Sequence, residues 1–139
     1  MNEIIFLISN LNDRFSDFFK NRKKGLGLRA FVSQSIPIMH EVYKNGGKIQ
    51  INELYKAVPK PKPTITEMIK RLVTDGQLIK TTNEKDKRVS FVQVTKKSYF
   101  FKTIYLETIN EFSAKIFTNF TDEEKSKLKE LLEKAIANT

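Results

Sequence analysis

Apolar side chains return at alternating steps of four and three along the start of the chain: Ile4, Ile8, Leu11, Phe15 and Phe18, with Ile5 and Phe19 beside them. That spacing puts them on one side of a 3.6-residue turn and predicts an amphipathic helix over residues 2–20. Asn21-Arg22-Lys23-Lys24-Gly25 interrupts the stripe and reads as a basic turn. A second periodic segment, from about Leu28 to Lys44, offers Phe31, Ile36, Ile38, Met39 and Val42 to a core and stops at Asn45-Gly46-Gly47. Pro37 inside it lacks a backbone donor and predicts a kink.

Beyond the glycine pair, Lys48 to Ile51 predicts a short strand, and Asn52 a cap for a short helix through Glu53, Leu54, Tyr55 and Ala57. Pro59-Lys60-Pro61-Lys62-Pro63 cannot lie inside a helix and reads as a turn feeding one, because proline suits first-turn positions. Ile65, Met68, Ile69, Leu72 and Val73 make the next apolar stripe, closed by Asp75-Gly76 where a left-handed cap is wanted. Leu78 to Thr82 and the β-rich run Val89 to Thr95 flank a charged tip, Asn83-Glu84-Lys85-Asp86-Lys87, and predict a hairpin. Thr95 is placed to cap a long helix from Lys96 to about Thr118, with Phe101, Tyr105, Ile109, Phe112 and Ile116 along one face. Thr121-Asp122-Glu123-Glu124 is a capping box for a last helix striped by Leu128, Leu131, Leu132, Ala135 and Ile136.

The order is therefore α-α-β-α-α-β-β-α-α: a mostly α chain in which a helix-turn-helix and a small β-hairpin wing lie between helices at both ends. No repeat or long linker divides the 139 residues, which read as a single domain, 1–139. Its winged part covers about residues 28–95, and its outer helices about 2–20 and 96–137.

Charge adds a partner class. Lys and Arg total 25 against 16 Asp and Glu, a net charge of +9. Residues 60–97 hold ten basic and four acidic side chains (+6), whereas residues 98–139 hold six and seven (−1). A charge run is commonly just a solvated face. This one coincides with the helix-turn-helix and wing, which points to a polyanion. Cysteine is absent and there is one histidine, so disulfides, thiolate sites and an all-His zinc site within one chain are excluded. No metal and no cofactor is expected. The longest apolar runs reach five residues, as at Ile4 to Ile8, and no secretory leader pattern opens the chain. A soluble, cytoplasmic protein with no membrane partner is the expectation. Neither a Ser-His-Asp set, a G-x-x-x-x-G-K-[ST] or G-x-G-x-x-G loop, nor a distinctive acidic pair is present, which argues against an enzyme.

Three stretches carry a family likeness. They are Ile65-Thr66-Glu67-Met68-Ile69-Lys70-Arg71-Leu72-Val73-Thr74-Asp75-Gly76-Gln77-Leu78-Ile79, then Asp86-Lys87-Arg88, then Val92-Gln93-Val94-Thr95-Lys96-Lys97. In order and at these intervals they resemble the recognition helix ending in Arg-Leu-x-x-x-Gly, the Asp-x-Arg wing tip and the Leu-Thr strand end of the multiple-antibiotic-resistance regulator (MarR) family of bacterial winged-helix transcription factors. The likeness spans essentially the whole chain. It implies a sequence-specific, double-stranded DNA-binding transcriptional regulator, a homodimeric repressor whose recognition helix reads the major groove and whose wing contacts the minor groove. It also implies release by a small apolar or phenolic effector held between the dimer helices and the winged domain. Two features depart from the family pattern: prolines crowd the start of the recognition helix, and Glu67 falls where a basic or small polar residue is frequent.

On the helix from about Pro61 to Asp75 the apolar stripe leaves Lys62, Thr64, Thr66, Glu67 and Lys70 outward. Thr64 and Thr66 are expected to approach the groove while Lys60, Lys62 and Lys70 hold phosphates. Glu67 either accepts from a cytosine amino group or repels phosphate. Arg71, close to the buried stripe, is expected to pair structurally with an acidic side chain. In the wing, Arg88 would enter or flank the minor groove, held by Asp86, with Lys85 and Lys87 near phosphates. The lone His40 reads as structural or solvent-facing, with the lining of a ligand pocket as the lesser alternative. The stripes at both chain ends exceed what a small winged domain can cover, so Ile4, Ile8, Leu11, Phe15, Ile109, Phe112, Ile116, Leu128, Leu131 and Leu132 are expected to build a two-fold homodimer that reads a pseudo-palindromic operator. The rival reading is a winged-helix protein-interaction module without specific DNA reading.

Overall fold

The computed structural model of the chain describes residues 2–23 and 35–139. Six helices and three strands follow in the order α1 (Glu3–Lys23), α2 (Ile36–Lys44), β1 (Lys48–Gln50), α3 (Ile51–Ala57), α4 (Lys62–Thr74), β2 (Leu78–Thr82), β3 (Ser90–Val94), α5 (Lys96–Ile116) and α6 (Asp122–Ala137). The antiparallel sheet has the order β1-β3-β2, with Ile49 opposite Val92 and Val92 opposite Lys80. Directly opposed side chains share a face. Ile49 and Val92 therefore turn together toward the helices, where Ile38, Met39 and Val42 of α2, Leu54 of α3, and Ile65 and Leu72 of α4 complete an apolar core. Phe19 from α1 and Phe101 and Tyr105 from α5 extend that core toward the two long helices.

Gly47 joins α2 to the sheet. Its φ of +96° suits glycine, and a Cβ there would meet Val94 Cγ2 at 2.9 Å. The Gly47 carbonyl also accepts from Val94 N–H at 2.9 Å, so the turn cannot shift without breaking a sheet contact. Gly47→Ala should cost roughly 1–3 kcal/mol of stability. Urea unfolding measures this, and an unchanged midpoint would mean that Val94 gives way freely.

The structure revises several local expectations. Within the described residues the second helix begins at Ile36, so Pro37 sits in its first turn, where an absent N–H is no loss, rather than in a helix interior. Asn21, Arg22 and Lys23, expected in a basic turn, instead continue α1 to Lys23, while residues 24–25 and the expected helical stretch over 28–34, including Phe31, lie outside the described residues. Asn52 does not cap α3: Gln50 occupies the cap position in an extended conformation, without a side-chain cap bond. The strand passes straight into the helix because Ile51 turns inward to be buried, which shortens β1 to Lys48–Gln50.

Both caps near the C-terminal helices form. Thr95 Oγ1 accepts from Ser98 N–H at 3.3 Å, and its hydroxyl also donates to the Gly76 carbonyl, tying the start of α5 to the end of α4. In the capping box Thr121 Oγ1 accepts from Glu124 N–H at 3.1 Å, and Glu124 Oε1 accepts from Thr121 N–H at 2.9 Å. Even so, α6 buries none of its residues in the chain's own core.

Candidate nucleic-acid interface

Helix α4 owes its entry to the prolines. Pro61 stands at the cap position and Pro63 in the first turn, so the chain turns out of α3 and directly into a new helix. Ile65, Met68, Ile69 and Leu72 face the core, while Lys62, Glu67, Lys70 and Arg71 are exposed and Thr64 and Lys60 are half-buried. Thr66 has a partner inside the fold: its hydroxyl lies 2.9 Å from the Tyr55 hydroxyl on α3. Lys62 Nζ lies 5.4 Å from the centroid of the same tyrosine ring. Tyr55, which sequence reasoning placed only as part of a short helix, thus ties the two helices of the turn together and steadies a cation at the mouth of α4.

Arg71 pairs with an acidic side chain, as expected, but it does so on the surface rather than against the buried stripe. It is exposed and its Nε lies 3.8 Å from Glu67 Oε1 one turn earlier. The helical spacing of four pairs these two on the surface, which gives Glu67 a local partner.

At the wing, Asp86 and Arg88 meet as the Asp-x-Arg spacing anticipated. Asp86 Oδ1 accepts from Arg88 Nε at 3.1 Å and from Arg88 N–H at 3.0 Å, and Asp86 Oδ2 accepts from Nη2 at 3.3 Å. The guanidinium and then the backbone N–H of Arg88 hold the Asp86 carboxyl below its ordinary pKa. The pair is therefore intact above the usual carboxylate range and is lost as pH falls through the lowered value. Arg88 is 91% exposed, and Lys85 and Lys87 are exposed beside it.

A different feature lies where α1, α2 and α5 approach. A mainly apolar cavity of about 630 Å³ is lined by Phe15, Ile36, Pro37, His40, Tyr105 and Phe112 among others. His40, expected to be structural or solvated, stands at this cavity with Nδ1 3.3 Å from the Tyr105 hydroxyl. Burial pushes the Tyr105 phenol up to about 12, so it is neutral and able to donate at physiological pH. Only the tertiary fold brings His40 to Tyr105, 65 positions apart. Among the described residues no three His, Asp or Glu side chains converge on a metal-sized space.

The side chains expected to make a dimer divide into two sets. Phe15, Ile109, Phe112 and Ile116 are half-buried within the chain and line the cavity, with Phe15 and Phe112 in ring contact at 5.1 Å. Ile4, Ile8, Leu11, Leu131 and Leu132 are exposed and Leu128 is half-buried. Ile5, Phe6, Leu7 and Ile136 enlarge the same exposed apolar class.

A family model described as "Transcriptional regulator SarA/Rot" matches residues 18–103, from the end of α1 through the first turns of α5. The chain belongs to the SarA/Rot family of transcriptional regulators. The SarA/Rot regulator is matched by no curated relative. Its fold is that of solved MarR proteins, as the sequence likeness implied, although the matching family model is SarA/Rot. A MarR protein from Peptoclostridium difficile superposes with a TM-score of 0.85 at 28% identity, over 99% of this chain and 87% of that one. Mutant MarR from E. coli complexed with operator DNA gives 0.74 at 23% identity, over 96% of each chain. The organohalide-sensing regulator RdhR, in its 2,4-dichlorophenol-bound form, gives 0.77 at 20% identity, over 100% of this chain and 82% of that one. Described element by element, the SarA/Rot regulator is a winged helix-turn-helix, α3 and α4 forming the helical turn and β2 and β3 the wing, between long helices at both ends.

Proposed function

We propose that this regulator binds double-stranded DNA as a homodimer and represses transcription, with α4 in the major groove and the wing at the minor groove. The observation that carries the reading is the wing: a highly exposed arginine held by a neighbouring carboxylate, on a fold shared with a MarR protein solved on operator DNA. Lys60, Lys62 and Lys70 hold phosphates around α4, and Lys85 and Lys87 do so around the wing. Thr64 approaches the base edges. Thr66, engaged by Tyr55, adds less reading than its position on the helix suggests. A single winged lobe covers too few base pairs for specificity, so two lobes one helical turn apart supply it. The exposed apolar residues of α1 and α6 make the pairing surface. A regulator acting on DNA works in the cytoplasm in this reading; no described helix is long and apolar enough to cross a membrane.

Selection from a random duplex pool, followed by titration across salt, tests the reading. The expected product is a pseudo-palindrome whose binding weakens steeply as salt rises. Failure to enrich any sequence, with no salt-dependent duplex binding, would sink it in favour of a protein-interaction module. Lys62→Ala should lower the slope of log affinity against log salt by about one unit per protomer. A slope that stays put removes Lys62 from the phosphate contacts.

The cavity at His40 and Tyr105 takes a small apolar or phenolic effector in this reading. Its volume suits a drug-sized molecule, its walls are apolar, and two polar groups stand ready to orient a hydroxyl. RdhR, which shares the fold, was solved with 2,4-dichlorophenol.

A further inference from the structure

The wing tip carries exposed side chains, yet its backbone is closely tied. Asn83 N–H donates to the Val89 carbonyl at 2.8 Å, and Val89 N–H donates to the Asp86 carbonyl at 3.0 Å. Between these, Asn83 Oδ1 accepts two backbone amides, Lys85 N–H at 2.8 Å and Asp86 N–H at 3.3 Å. An asparagine whose side chain accepts the amides two and three residues ahead mimics a backbone turn and fixes the path between them. Holding the Asp86 amide sets the direction of the Asp86 carboxylate, which then accepts the backbone N–H, Nε and Nη2 of Arg88.

We infer that Asn83 is a positioning residue for Arg88: its amide oxygen shapes the wing tip so that Asp86 holds the guanidinium in place before any duplex arrives. An arginine this exposed would otherwise sample many rotamers, and freezing them opposes binding. With Nε and one Nη2 proton engaged by Asp86, Nη1 and the second Nη2 proton face outward for acceptors on a partner. The consequence for affinity rests on the DNA-binding reading above, whereas the geometric claim about the free protein stands apart from it.

Two measurements on the full chain test the inference, comparing wild type with Asn83→Ala, Asn83→Asp, Arg88→Ala and the Asn83→Ala/Arg88→Ala double variant. Nitrogen relaxation of Arg88 Nε in the protein without DNA should show an ordered side chain in wild type and in Asn83→Asp, which keeps the acceptor, and a mobile one in Asn83→Ala. Affinity for a duplex selected by the wild-type protein should fall about tenfold in Asn83→Ala, and less than about twofold when the same change is made in the Arg88→Ala background. Unchanged Arg88 order in Asn83→Ala, or an equal tenfold loss without Arg88, would overturn the assignment. If wild type selects no duplex, the DNA reading fails and the relaxation measurement alone decides the role of Asn83.

Discussion

Ile8→Asp should convert the protein to a monomer and lower duplex affinity by more than about 100-fold, because each lobe then binds without the other. Ile8 is exposed in the single chain, so the substitution should leave the winged lobe folded. In a two-fold pairing the aspartate enters the interface twice, and each buried carboxylate without a partner costs several kcal/mol. The reason to look here is α6, which buries no residue of its own yet carries Leu131 and Leu132 exposed on one stripe, as α1 does with Ile4, Ile8 and Leu11. Sedimentation should show half the wild-type mass, with the unfolding midpoint of the winged lobe retained. Persistence of the dimer would mean that α1 pairs elsewhere or not at all.

Arg88→Ala should weaken binding to any duplex by about 30- to 150-fold at moderate salt, taking about 1–1.5 kcal/mol per copy and two copies per dimer. Two effects add. The guanidinium no longer meets the DNA, and Asp86, freed from its partner, presents an uncompensated carboxylate toward phosphates. Loss of the pair costs the fold little because both groups are solvated. Near-wild-type duplex affinity with a folded dimer would remove the wing from the interface. Asp86→Asn separates the two effects, since it frees Arg88 without leaving a negative charge.

Much of the fold was legible because it is written in short-range rules. The four-and-three spacing of α1, the prolines entering α4, the positive φ at Gly76 and the capping box at Thr121 each depend on residues within a turn or two of one another. Asp86 and Arg88 are two positions apart on a hairpin tip, so their pairing was readable for the same reason. Asn52 was misplaced by two residues: α3 starts at the buried Ile51, with Gln50 at the cap position, rather than at the residue whose side chain could have capped it.

The candidate site was legible only in part. Lys60, Lys62, Lys70, Lys85, Lys87 and Arg88 were readable as charge concentrated on a recognisable supersecondary pattern. The engagement of Thr66 by Tyr55 was not anticipated, and the acidic partner expected for Arg71 was not identified as Glu67. Tyr55 and Thr66 lie on different helices whose crossing angle no periodicity encodes.

Alone, the amino-acid order determined the type and order of the elements, which face of each is apolar, and that the middle of the chain is cationic. An apolar face read from sequence has no named partner, because burial is non-directional and any other apolar surface satisfies it. Tertiary structure chose the partners. It added β1 as the third strand beside β3, spent Phe15 and Phe112 on a cavity wall, set His40 against Tyr105, and left α6 and the front of α1 uncovered. Those outcomes depend on contacts between residues far apart in the chain, whose geometry exists only once the elements have packed.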